Sequence, residues 1–303
     1  MTVLVADDVA EALVAGRPVV ALETSVIGQG LPDPENRACA ASMTDAIAAA
    51  GAVPAWTAVL DGAVRVGLEE PELARFFEPG AAVKVARRDL ADAVARGALG
   101  ATTVSATIWA AHRVGIAVAA TGGIGGVHRG ARPDVSADLL ELARTPVLLV
   151  CGGPKSIVDP AATAERLEEL GVAVVGYGVD RLPFFLAREA DVALEHRVDR
   201  PEEAAALLRA HLELGVEAAI LLCNAVDAAE ALDPDNLLRA AAAAEDRLAA
   251  AGVTGKAVTP FLLAALAEET GGRSLRANLA LLEDNARLAG AVAAALSAAT
   301  SER

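Results

Sequence analysis

An apolar run, a string of glycines and an amphipathic run follow one another between Ile116 and Leu142, and this succession restricts the fold more than any other stretch of the chain. Ile116 to Ala120 reads as a buried strand, and the spacing of Leu139, Leu140 and Leu142 reads as a helix. Between them runs Thr-Gly-Gly-Ile-Gly-Gly-Val-His-Arg-Gly from Thr121 to Gly130, with five glycines in nine residues, then Ala-Arg-Pro and the segment Asp134 to Asp138. Such a loop at the carboxyl end of a strand lets main-chain N–H groups come close to a ligand. Glycine has no side chain in the way and adopts unusual φ/ψ without a steric penalty. His128, Arg129, Asp134, Ser136 and Asp138 add a base, a cation, a hydroxyl and two carboxylates. The same residues also suit an ordinary strand-to-helix turn in which Asp134 or Ser136 caps the helix. Neither phosphate-loop pattern is matched, since no Gly-Lys-Ser/Thr closes the loop and no Gly-x-Gly-x-x-Gly opens it. Asp134 and Asp138 are four apart and share one face if both are helical, a spacing that suits a divalent cation held partly through water.

Further strands are expected at 18–22, 53–61 with a hairpin partner at 63–67, 82–86, 146–150, 172–175, 194–198 and 218–222. Helices are expected at 7–15, 36–50, 69–77, 104–113, 161–170, 201–214, 236–251, 260–269 and 275–296. The composition is 54% hydrophobic but only 3% aromatic, so the core is built of Ala, Val and Leu, which favours helices packed closely on a parallel sheet. With 303 residues and no repeat or linker, the chain is expected to form one α/β domain spanning residues 1–303. A formal net charge of −15 argues against a nucleic-acid polymer as partner, while leaving nucleotide monomers open. Cys39, Cys151 and Cys223 are odd in number and lack disulfide or metal spacing, which fits a reducing compartment. No apolar run has the length of a membrane span and no leader pattern opens the chain, so a cytoplasmic location is expected.

Chemistry collects at the expected strand ends, the edge where open α/β sheets gather ligands. Glu23 closes an apolar strand and precedes an irregular Gly28-Gln29-Gly30 loop; it suits a general acid whose pKa burial would raise, and equally a capping or ion-paired carboxylate. Lys84 sits in the middle of a strand and must meet an anion if it points inward. Arg87 and Arg88 are expected to begin the next helix, with Asp89 as a solvated partner. Thr102 and Thr103 precede a helix whose N-terminus could take a phosphate or be capped by threonine. Lys155, after Cys151-Gly152-Gly153-Pro154, reads as an amine nucleophile able to form a Schiff base, or more simply as a phosphate clamp or surface lysine. Leu182 to Phe185 is expected to shape a pocket wall or a subunit contact. His112, His196 and His211 read as structural or solvated. Gly255, Lys256 and Thr259 fall in a connecting loop. Asn278 and Asn285 share a face of the last helix, where a buried amide binds a polar ligand or ties down a loop.

The joint pattern of Ala-Leu-Glu-Thr at 21–24, Lys-Val-Ala-Arg-Arg-Asp-Leu at 84–90, Ala-Thr-Thr-Val at 101–104, the glycine segment at 121–130, Asp-Val-Ser-Ala-Asp-Leu at 134–139, Pro-Lys-Ser-Ile at 154–157 and Thr-Pro-Phe-Leu-Leu at 259–263 resembles the pseudouridine-5'-phosphate glycosidase family. The likeness runs from about Val19 to Asn285. It implies a three-layer α/β/α fold with a mostly parallel central sheet, and reversible cleavage of the carbon–carbon glycosidic bond of pseudouridine 5'-phosphate to uracil and ribose 5-phosphate, in pseudouridine catabolism. By the same likeness Glu23 is the proton donor and Lys155 the nucleophile that attacks the anomeric carbon of the ring-opened ribose, giving a Schiff base. Asp134 holds Mn²⁺, one ion per subunit, with waters completing its shell. Lys84, Val104, Ser136, Ala137 and Asp138 contact substrate, Asn278 lies near the uracil, and the assembly is a homotrimer. The chain departs from many relatives at Gly28-Gln29-Gly30, where they carry Ser-His-Gly, at Pro154, where they carry a small residue such as Ala, and in a loop about two residues shorter after Ala131.

Overall fold

The computed structural model describes residues 3–129, 134–253, 255 and 258–301; Gly130, the Ala131-Arg132-Pro133 segment and Lys256, all named from the sequence, lie outside them. The first part of the chain forms β1 (Val3–Val5), α1 (Asp7–Val14), β2 (Val19–Glu23), a π-helical turn (Val26–Gly30), α2 (Glu35–Ala49), β3 (Val53–Leu60), β4 (Ala63–Val66) and α3 (Glu70–Ala74). Then follow β5 (Val83–Val85), a 3-10 turn (Arg87–Asp89), α4 (Leu90–Ala95), β6 (Gly100–Thr102), α5 (Val104–Arg113), β7 (Val118–Ala120), β8 (Val127–His128), α6 (Ala137–Leu142) and β9 (Leu148–Cys151). The last part contributes β10 (Val158–Asp159), α7 (Pro160–Glu169), β11 (Ala173–Tyr177), β12 (His196–Val198), α8 (Pro201–Glu213), β13 (Ile220–Asn224), α9 (Pro234–Ala251), α10 (Val258–Glu269) and α11 (Arg273–Ser301).

Seven strands run parallel in the order β3-β2-β7-β9-β13-β11-β12, and β4 and β1 extend the β3 edge in the opposite direction. Alternation along each strand divides the core. Val20 and Leu22 of β2 pack with α2, α8 and α11, whereas Val19 and Ala21 pack on the other face with α1, α5, α6 and α7. The fold is therefore the expected α/β/α arrangement around a mostly parallel sheet. Small side chains let the layers approach closely: a Cβ on Gly290 of α11 would lie 2.8 Å from the Cβ of Ala50, at the end of α2.

Two features of this topology create a crevice. After β2 the chain crosses to β3, and after β7 it crosses to β9 on the other side, so the sheet order reverses between β2 and β7 and the connections leaving their carboxyl ends go opposite ways. In addition, β2 leaves the sheet after Glu23, which pairs with Thr57, and the vacated edge of β3 is taken over by β6, whose Ala101 and Gly100 face Ala58 and Val59 in antiparallel register. The carboxyl ends of β2 and β6 thus meet head-on. Their junction is fastened by the buried hydroxyls of Thr24, Thr57, Thr102 and Thr107: Thr24 and Thr102 each donate to the Thr57 carbonyl at 2.7 Å, and Thr57 is 2.8 Å from both Thr102 and Thr107.

Two local expectations are corrected, at Thr102 and Asp89, and the structure adds short strands and the far partner of Arg87, which begins its helical turn as expected. Thr102 belongs to a strand, and its hydroxyl is engaged in the threonine junction, so it is not a phosphate donor. The three-residue β1 and the separate antiparallel pair of two-residue strands β8 and β10 are absent from the sequence reading, because segments this short carry no period. Asp89 is half-buried rather than solvated, and its carboxylate accepts the Ala86 N–H at 3.0 Å. Arg87 reaches across to α6, where both of its contacts to the Glu141 carboxylate are short, 2.8 and 2.7 Å.

Glu141 is 1% exposed and also accepts from Thr145 at 2.7 Å and from Arg144. It ties α6 to the segment behind β5. Removing its charge in Glu141→Gln leaves two guanidinium groups facing a neutral amide. Because Arg87 is a third exposed and Arg144 about half exposed, the expected loss is below the full cost of a broken buried pair, about 2 kcal/mol, read as a lower urea midpoint at unchanged m-value.

Candidate active site

The crevice between β2 and β7 opens into a cavity of about 250 Å³. Glu23, the last residue of β2, is 2% exposed. Its two carboxylate oxygens are held separately: the Thr121 hydroxyl, from the first residue after β7, donates to Oε1, and the Ser25 hydroxyl donates to Oε2 at 2.7 Å. Both oxygens are thereby fixed in direction, as a proton donor or acceptor acting at one point requires.

The glycine segment does not hang free. Beyond the end of the sheet it continues to pair with the chain leaving β9: Thr121 N–H donates to the Val150 carbonyl (3.0 Å), Gly152 N–H to Gly122 (2.8 Å), Ile124 N–H to Gly153 (3.0 Å) and Lys155 N–H to Ile124 (2.9 Å). Lys155 is half-buried and points its chemistry into the cavity from the last rung of this extension. The glycines are needed for room. None of Gly122, Gly123, Gly125 and Gly126 has a positive φ. A Cβ on Gly125 would lie 2.3 Å from Ser136 Oγ, and one on Gly126 would lie 2.3 Å from Thr163 Oγ1. Only on the β9 side is the left-handed region used, at Gly153 (φ 80°), where a Cβ would fall 2.1 Å from the Pro183 carbonyl oxygen.

Ser136 caps α6, its hydroxyl accepting the Asp138 N–H at 3.2 Å. Asp138 is 7% exposed and uses both carboxylate oxygens on main-chain donors, Ser105 N–H in the first turn of α5 (3.1 Å) and Gly125 N–H (3.0 Å). The anion at the N-terminus of α5 is therefore in part a carboxylate of the chain itself. Because α6 begins only at Ala137, Asp134 lies outside the helix, and the shared face expected for Asp134 and Asp138 does not form. Asp134 is exposed on the cavity, and its carbonyl accepts the His128 N–H at 2.9 Å. His128 also lines the cavity; burial, together with the nearby Lys84 and Lys155 ammonium groups, pushes its pKa below the usual histidine range against the opposing pull of Asp134.

All nine positions to which the family resemblance gives a role line this one cavity: Glu23 and Lys155; Lys84 on β5; Val104 at the start of α5; Asp134; Ser136, Ala137 and Asp138 at the start of α6; and Asn278 on α11. Phe185 supplies wall, as expected of its segment. Thr259, expected in a loop, belongs to α10, which closes the cavity with Val258, Pro260 and Leu263. Asn285 does not line it. Of the other histidines, His211 is buried and contacts the Ala218 carbonyl, and His112 and His196 are exposed. The sequence reading missed the α10 wall and the role of Thr121 as partner of Glu23. The first had no polar signal, and the second is visible only once β2 and β7 are neighbours.

Comparison with known proteins places the chain in a family. The family model described as indigoidine synthase A like protein matches residues 8–295. The chain is 51% identical over 286 residues to the pseudouridine-5'-phosphate glycosidase of Gemmatimonas aurantiaca, covering 94% of each chain, and 49% identical to that of Myxococcus xanthus, covering 97% of this chain and 98% of the relative. Among solved structures it is similar to the prealnumycin C-glycosynthase AlnA in complex with ribulose 5-phosphate (TM-score 0.90, 42% identity, all of both chains) and to an indigoidine synthase A-like protein from Thermotoga maritima (TM-score 0.88, 37% identity, 97% of both chains).

The crowding at Gly125 gives a direct check of the loop. Gly125→Ala must displace the Ser136 cap and press on the Asp138 carboxylate, 3.2 Å from the added methyl. The expected result is a loss of about 1–3 kcal/mol in urea unfolding, the range of overpacked sites.

Proposed function

The chain belongs to the indigoidine synthase A like family, and we propose from that premise that it cleaves pseudouridine 5'-phosphate reversibly to uracil and ribose 5-phosphate. The observation that carries the reading is the placement of a carboxyl and an amine, Glu23 at the end of β2 and Lys155 on the chain leaving β9, in the lining of one cavity. The bond to be broken joins two carbons, so protonating a heteroatom leaving group is of no use. An amine on the adjacent sugar carbon supplies the missing electron pair.

In the reaction we envisage, the bond from the anomeric carbon to the ring oxygen breaks with an electron pair pushed from the uracil while the oxygen takes a proton. The Lys155 nitrogen then adds to the anomeric carbon and loses a proton, and the pair returns to the uracil ring. The nitrogen lone pair then forms the carbon–nitrogen double bond while the carbon–carbon bond breaks toward the uracil, whose carbon takes a proton from Glu23. Water hydrolyses the imine, releasing ribose 5-phosphate and the free amine. Ser25 and Thr121 hold the donor carboxyl in direction through the transfer. Lys84 and the first turn of α5 at Val104 offer a cation and helix-terminal donors to the phosphate, and Asn278 an amide to the base.

A divalent ion fits as a lightly held partner. Among the described residues no group of three or more His, Cys, Asp or Glu is placed to enclose a metal, whereas Asp134 presents one exposed carboxylate on the cavity. A hard cation such as Mn²⁺ or Mg²⁺ keeps most of its waters when bound through one carboxylate. It would add positive charge beside the sugar phosphate. We further propose a homotrimer in the cytoplasm. The large apolar side chains of Val83, Val135 and Leu140, exposed within two positions of cavity-lining residues in the sequence, support a subunit contact, and the three free, buried thiols suit a reducing compartment. Among the described residues no helix is long and apolar enough to cross a membrane.

The reaction is tested by uracil release. Lys155→Ala is expected to abolish it, and Glu23→Gln to lower kcat by at least about 100-fold, the scale of general acid catalysis, with both proteins folded by circular dichroism. Wild-type rates in Lys155→Ala would refute the amine mechanism. Treatment with EDTA should depress release until Mn²⁺ is restored, and Asp134→Ala should raise the Mn²⁺ concentration needed for half-maximal rate. Light scattering should give three times the chain mass of 30.6 kDa.

A further inference from the structure

The pairing between the chains leaving β7 and β9 contains one displaced rung. Ala120 pairs with Val150, and Ile124 bridges Pro154 in the same register. In an unbroken parallel ladder, the Gly152 N–H would go to the carbonyl of Thr121, whose own N–H already donates to Val150. It goes instead to the carbonyl of Gly122, at 2.8 Å. The Thr121 carbonyl is thereby released from the ladder inside a buried region, where an unsatisfied acceptor is costly.

Asn285 of α11 fills the gap. Its side chain is wholly buried; Nδ2 donates to the Thr121 carbonyl at 2.8 Å and leans toward that of Gly122 at 3.4 Å. Its Oδ1 accepts from Asn224 Nδ2 at 3.1 Å, which fixes which end of the amide faces the loop. The nearest neighbours on that face of α11, Leu281, Leu282, Ala286 and Ala289, are apolar and buried, and Asn278, two turns away on the same face, lines the cavity instead.

We infer that Asn285 is a positioning residue for the reaction: by holding the displaced Thr121 carbonyl it sets the Thr121 hydroxyl on the Glu23 carboxyl, and Asn224 orients it. Asn285 does not line the cavity and touches no substrate. The inference rests on the proposed glycosidase reading for its kinetic test, while the loop geometry it describes does not depend on that reading.

The decisive experiment compares Asn285→Leu, Thr121→Val and the double variant in uracil release from pseudouridine 5'-phosphate. Asn285→Leu should lower kcat by about 10- to 100-fold with KM changed less than threefold, the pattern of a misplaced catalytic group, and should shift the pH profile of kcat. The double variant should be no slower than the slower single variant, because both act on the same contact. Thr121→Ser, which keeps the hydroxyl, should recover most of the rate. Unchanged kcat in Asn285→Leu, or effects that multiply in the double variant, would overturn the inference. Hydrogen exchange of a peptide covering Thr121 to Gly126 supplies a readout independent of the substrate. Exchange there should rise about tenfold in Asn285→Leu with peptides of β3 and β12 unchanged, and a uniform rise or none would count against the inference even if the wild-type protein released no uracil.

Discussion

Backbone pairing that outlasts the sheet is the constraint on which the site depends. β7 and β9 are ordinary buried parallel strands, yet the chains leaving them stay hydrogen-bonded through Lys155. A lysine on a free loop would have to be ordered anew for each turnover. Here the entropy of ordering its backbone has been met by folding, and only the side chain remains to be placed. The glycines make this possible by removing the volume that would push the two extensions apart from Ser136, Thr163 and Phe185.

The other side of the site is built by convergence. The junction of β2 with β6 brings strand ends of opposite direction together, and the threonine hydroxyls fasten it without a charge. Charge is handled farther out, where Glu141 and Asp138 connect α6 to the segment after β5 and to the start of α5. Thus the walls at β2, β6, α5 and α6 are anchored to one another through named polar contacts, and the Glu23 carboxyl and Lys155 amine line the space between them.

Much of this was legible in the sequence, and the reasons differ from residue to residue. The sheet was readable because each central strand is a short apolar run followed by glycine or a polar residue. Glu23 and Lys155 were readable because they stand at such ends. The glycine segment was recognised, but its cause was only half stated: room for Ser136 and Thr163 decides it, and those neighbours are 11 and 37 positions away from the glycines they crowd. The hydroxyl of Thr102 looked like a ligand because its partner Thr57 lies 45 positions away. Asn285 could be read only as an amide awaiting a partner, since the displaced rung that it satisfies exists only after β7 and β9 have paired. What the sequence conceals, then, are contacts between elements, and above all those made by short polar side chains.

The α9–α10 hairpin has a different standing from the rest. Its apolar side chains pack in two small clusters, Ala244, Leu262 and Ala265 with Ile157 and Val158, and Leu237, Ala240 and Leu266 with Phe184, Phe185 and Leu281, apart from the two large cores that flank the sheet. It nevertheless provides the cavity wall at Val258, Thr259, Pro260 and Leu263. The part of the pocket that meets a ligand's shape is therefore assembled as a cassette, while acid and amine belong to the chassis. A lineage could exchange the base or ring accepted by such a pocket by redrawing the cassette's inner face, leaving the carbon–carbon chemistry untouched.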